Sequence, residues 1–108
     1  MLLIIKEKAS EKILGKLAED LNGYIKFVVD VEQGILAAGG TRHFEGEELL
    51  LKNGSKQENL WGGGLDSTGE IDFDSIINLR PNQNNPSREV LSPEIRKKVE
   101  EIIKNLLV

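Results

Sequence analysis

His43 is the only histidine of the chain, and it lies in Gly40-Thr41-Arg42-His43-Phe44-Glu45-Gly46-Glu47-Glu48, close to three carboxylates. An imidazole beside carboxylates can act as an oriented general base, or as one ligand of a divalent ion with oxygen partners. Asp30 and Glu32, at the end of a strand-like segment, are the acids that could converge on it, giving metal-assisted hydrolysis as one reading. The plainer reading leaves His43 in a solvated loop and the two acids in water at the end of a hairpin. A zinc site of the usual kind wants more histidines or cysteines, and the chain has no cysteine. That absence also removes disulfides, thiolate clusters and a cysteine nucleophile. No serine sits in a G-x-S-x-G elbow, so a serine triad has no support.

A second group of polar residues follows an apolar alternation: Asn78 and Arg80, then Pro81-Asn82-Gln83-Asn84-Asn85-Pro86-Ser87-Arg88. A guanidinium and several amides held by two prolines suit a carboxylate, a phosphate or the backbone of a protein segment. The alternative is structural, with Arg80 paired to Asp30 or Asp74 and the asparagines closing turns. If folding gathers these groups, one shallow site would comprise Asp30, Glu32, His43, Asn78, Arg80, Asn82 and Asn84. It would bind a small anionic ligand or a protein segment, with cofactors unknown and no metal assigned.

Nine of the 11 glycines fall between Gly34 and Gly69. Neither a P-loop nor a dinucleotide fingerprint is met, so turns, bulges and a flexible loop at Gly62-Gly63-Gly64 explain them. Trp61, just before that run, is expected in buried edge packing, with a stacking platform or an oligomer contact as the competing reading.

The elements that would position these groups follow from periodicity. Leu2–Ile5 reads as a short buried strand. Ser10 is an N-cap ahead of Ile13, Leu14, Leu17, Ala18 and Leu21, with Asn22-Gly23 as the stop. Gly15 inside that helix suggests close packing on a sheet. Residues 24–31 alternate as a strand, with Ile25, Phe27, Val29 and Val31 on one face and Tyr24, Lys26, Val28 and Asp30 on a more polar one. Glu32-Gln33-Gly34 turns into a strand over Ile35–Ala38. Asn53-Gly54 between Leu49–Leu51 and Lys56–Trp61 predicts a second hairpin. Ile71, Phe73, Ser75, Ile77 and Leu79 predict a long strand. Ser92-Pro93 opens a final helix with an Ile95, Val99, Ile102, Ile103, Leu106 stripe.

The chain is therefore expected to be a single α+β domain over 1–108: a mainly antiparallel sheet of about five or six strands, packed by an N-terminal and a C-terminal helix. A formal charge of −4 disfavours nucleic acid. No apolar run is long enough to span a membrane, and a cytoplasmic location and a possible homo-oligomer complete the expectation. The segments from Asp30 to Gly40, Asn53 to Gly62 and Ile77 to Asn84 resemble a family of small uncharacterised bacterial proteins labelled only as a domain of unknown function. The resemblance runs from about Tyr24 to the final helix. It implies a free-standing domain and transfers no catalytic residue.

Overall fold

The computed structural model describes residues 1–108. Five strands, β1 (Leu2–Ile5), β2 (Ile25–Asp30), β3 (Ile35–Gly39), β4 (Leu60–Leu65) and β5 (Ile71–Asp72), form one antiparallel sheet in the order β1-β3-β2-β4-β5. Three α-helices accompany it: α1 (Glu11–Leu17), α2 (His43–Lys52) and α3 (Pro93–Leu106). The expected α+β architecture holds, with one helix more than the sequence reading provides.

Two cores lie on opposite faces of the sheet. Ile25, Phe27 and Val29 of β2 pack with Leu17 of α1 and with Val99, Ile103 and Leu106 of α3. Because side chains alternate along a strand, Val28 points the other way, where Ala37, Leu60 and Leu50 of α2 enclose it. The face of β2 that reads as polar is therefore roofed by α2.

The second hairpin is the main correction. His43, Gly46 and Leu50 are the buried residues of α2, and their i, i+3, i+7 spacing is a helical stripe. Gly46 lets the helix lie close to the sheet, since a Cβ there would stand 3.1 Å from the Val28 side chain. Asn53-Gly54 ends this helix and does not turn a hairpin. Gly54 has φ +97°, its N–H donates to Leu51 O, and Ser55 N–H donates to Leu50 O. Those two bonds are a Schellman motif with glycine at the left-handed position.

The long strand over 71–79 is the second correction. Only Ile71–Asp72 pair with β4. The Ser75 hydroxyl then accepts from Ile77 N–H and caps a 3-10 turn over Ile76–Asn78, which leaves Leu79 exposed instead of inward-facing. Gly62-Gly63-Gly64 is not a flexible loop; it is the buried interior of β4. Each glycine leaves room for a neighbour: Ser75 and His43 at Gly62, the Asp72 carbonyl and Phe27 at Gly63, the Tyr24 phenol at Gly64. Gly15 needs no such explanation, because a Cβ there meets nothing within 4 Å.

The terminal helices form as their caps require. Ser10 accepts from Ile13 N–H and Ser92 from Ile95 N–H, each meeting one orphan donor of a first turn.

Candidate functional site

β5 covers β4 only at Gly64 and Leu65, so the edge of β4 at Leu60 and Gly62 needs other partners. Asn78 supplies them. Its Oδ1 accepts from Gly62 N–H at 2.8 Å, and its Nδ2 donates to Gly62 O at 2.9 Å. The side-chain amide thus occupies the position of a strand residue. The same Nδ2 lies 3.0 Å from both Phe73 O and Arg88 O, and Asn78 is completely buried (0 % exposed). Arg80 closes the rest of the edge. Its guanidinium stacks 3.9 Å from the Trp61 ring centroid and donates to Leu60 O, Gln57 O and Gln83 Oε1. Trp61 is buried, so it offers no exposed oligomer contact.

Arg80 makes no ion pair with Asp30 or Asp74; Asp74 pairs instead with Arg88 at 3.3 Å. Burial disfavours the Arg80 charge, and Glu47 is the acid that counters this. The asparagines divide by role. Asn85, buried, donates to Asn78 O, Ser87 O and Glu89 O and accepts from Leu91 N–H. Asn84 supplies the left-handed residue of the loop at φ 58°. Asn82 stands exposed at its tip.

Asp30 is buried (0 % exposed) rather than set in water. Burial works against its charge, but hydrogen bonds from Ser55 Oγ, Gln33 Nε2 and the N–H groups of Gln33 and Glu32 outweigh it. Its pKa is held below the ordinary carboxylate value. Asp30 thereby fastens the β2–β3 turn to the end of α2. Above this network lies an open notch of about 430 Å³ bordered by Glu32, Gln33, Gly54, Lys56, Glu58 and Asn59. With two carboxylates against one lysine, it is poorly suited to an anion.

His43 is the first residue of α2 and is 9 % exposed, not a solvated loop residue. Nε2 lies 2.7 Å from Gly63 O. A carbonyl only accepts, so Nε2 carries the proton. Burial lowers the His43 pKa, Gly63 O raises it less, and Lys26 lowers it further, so the ring is neutral near pH 7. The dimple beside it, between Lys26 and Arg42, does not admit a water molecule.

The expected site is not gathered. Asp30 and Glu32 stand at the β2–β3 turn, while His43 sits under the glycine run, and no three His, Asp or Glu side chains are placed to hold a metal ion. Arg80 and His43 hold carbonyls three residues apart on β4, roughly 10 Å at strand rise, with Asn78 between them at Gly62. Both turn inward: His43 Nε2 is held by Gly63 O and the terminal nitrogens of Arg80 by carbonyl groups, while Arg80 Nε is buried without a partner.

The opposite edge of the sheet is open. Gly40 N–H donates to Met1 O, and the register pairs Leu3 with Ala38 and Ile5 with Leu36. In an antiparallel ladder that phase turns the N–H and C=O groups of Leu3 and Ile5 toward β3, and those of Leu2 and Ile4 outward. Leu2 and Ile4 have no other backbone partner. Above this edge runs a groove of about 310 Å³ lined by Leu2, Phe44, Glu45, Glu48, Leu49 and Lys52. Positions 45, 48, 49 and 52 are one stripe of α2, and Phe44 is 48 % exposed. Sequence reading missed this surface because it placed no helix here.

No helix is long and apolar enough to cross a membrane. No curated protein and no solved structure matches the chain. A family model does, over residues 3–106, and the chain belongs to that family, described as protein of unknown function (DUF5674).

Proposed function

We propose that this domain is a protein-binding module that receives an extended segment along the free edge of β1. The observation that carries the reading is the asymmetry of the sheet: the β4 edge is closed by Asn78 and Arg80, whereas Leu2 and Ile4 turn unpaired N–H and C=O groups outward. Exposed edges are normally blunted, and an unblunted one is a template for another strand. The groove beneath α2 adds apolar contacts from Leu2, Phe44 and Leu49 and negative charge from Glu45 and Glu48. The anionic-ligand reading has less to stand on, because the Arg80 guanidinium is turned inward onto carbonyl groups.

A blocked synthetic peptide of alternating valine and lysine, titrated into labelled protein, tests this. The amides of Leu2 and Ile4 are expected to shift, and Ile4→Pro to abolish binding, since it deletes an outward N–H without breaking the β1–β3 ladder. Shifts confined to other surfaces, or none, refute the proposal.

A further inference from the structure

Resting on that reading, we infer that the segment received by β1 is β1 of a second copy of this chain, giving a two-fold dimer with a continuous ten-stranded sheet.

The strand is self-complementary. Hydrogen-bonded pairs across a new antiparallel interface must join outward-facing residues, which here are Leu2 and Ile4. Placing the two-fold axis at Leu3 sets Leu2 of each copy opposite Ile4 of the other. Both pairs then exchange their N–H and C=O groups, and nothing on this edge is left unpaired. A two-fold interface needs such a patch, able to meet itself.

The charges agree with the same register. Lys6 is exposed and pairs with no carboxylate. Lys6 follows β1 directly, in a bend of the chain, while Leu2 and Ile4 pack on the α2-side core. With the second copy's Ile4 opposite Leu2, its Lys6 falls just beyond the Leu2 end of β1. Glu45 stands at that end: its Oε1 lies 3.6 Å from where a Gly40 Cβ would be, and Leu2 Cδ1 lies 3.7 Å from the same point. Each lysine thus meets the acidic mouth of the opposite groove, and symmetry makes the contact twice. The apolar flanks, Leu2, Phe44 and Leu49, meet across the axis on one face of the joined sheet.

Sedimentation equilibrium of the full chain, with Lys6→Glu, Glu45→Lys and the double variant, tests the inference. Wild type is expected to dimerise. Each single reversal replaces two attractive contacts by two repulsive ones and should weaken the dimer about tenfold. The double variant should recover most of the wild-type affinity. Ile4→Pro should be monomeric; because that variant could lose structure, circular dichroism is run beside it, and the charge exchange carries the test if it unfolds. A wild type that stays monomeric to millimolar concentration overturns the second copy as occupant. So does a dimer indifferent to both reversals. If the valine–lysine peptide still binds at Leu2 and Ile4 in either case, the strand-receiving edge survives and only its occupant is wrong; if it does not, both readings fall.

Discussion

Replacing Asn78 by alanine removes the side chain that stands in for a strand along Gly62. Four backbone groups lose a partner: Gly62 N–H and the carbonyls of Gly62, Phe73 and Arg88. A buried polar group left unsatisfied costs about 1–3 kcal/mol. The carbonyls can share remaining donors or admitted water, so the sum falls short of four full penalties; about 3–4 kcal/mol is expected. Against a total stability of roughly 5–15 kcal/mol, that is a large fraction, and it corresponds to a Tm lowered by roughly 15–25 °C for a domain of this size. Asn78→Asp should cost at least as much at neutral pH. It keeps the acceptor for Gly62 N–H but sets a carboxylate against three carbonyl oxygens. Equilibrium urea unfolding supplies the numbers, with the m-value checking that the denatured state is unaltered. A loss under about 1 kcal/mol for Asn78→Ala, with unchanged m, would falsify the idea that this amide seals the β4 edge.

Arg80→Lys should destabilise by about 2 kcal/mol, because a point-like ammonium cannot span Leu60 O, Gln57 O and the Trp61 ring together; unfolding indistinguishable from wild type would argue against a structural guanidinium. Gly63→Ala and Gly15→Ala should move stability in opposite directions. The first drives a methyl into the Asp72 carbonyl and Phe27, costing about 1–3 kcal/mol or more; the second meets open space in a helix and should gain about 0.5–1 kcal/mol. Burial lowers the folded-state pKa of His43, with Lys26 adding to the shift and Gly63 O, Asp72 and Asp74 opposing it. The unfolded chain therefore takes up the proton first as pH falls below about 6.5, and stability present above that pH is lost down to the folded pKa. His43→Gln should lack that step in denaturation curves recorded across the range. Identical pH profiles for the two proteins would contradict a buried neutral imidazole.

The sequence exposes most of the elements whose signals are local. Ser10 and Ser92 cap as their types predict, the α3 stripe buries Val99, Ile103 and Leu106, and the β2–β3 hairpin turns at Gly34. What misled was a dipeptide with two physical uses. Asn-Gly suits a hairpin turn and also a helix C-terminus, since both want a left-handed glycine. Choosing the hairpin hid α2, and without α2 the Tyr24, Lys26, Val28, Asp30 face of β2 looked like an open polar surface. The alternation over Ile71–Leu79 misled for a related reason. Period-two patterning cannot distinguish a strand from an irregular segment whose asparagine and arginine turn inward onto another strand's edge. The bare Gly62-Gly63-Gly64 run was the available clue, because a strand without side chains invites its neighbours close. Expecting Asp30, Asn78 and Arg80 in a ligand site followed from their chemical versatility; the fold uses that versatility on its own backbone.

Amide hydrogen exchange, resolved by residue in dilute and in concentrated protein, bears most directly on a sheet sealed at one edge and open at the other. Gly62 should exchange only through global unfolding at either concentration. Leu3 and Ile5 should be protected throughout, while Leu2 and Ile4 should exchange freely when dilute and become protected as the concentration rises. Slow exchange of Leu2 and Ile4 in dilute protein, or fast exchange of Gly62, would contradict it.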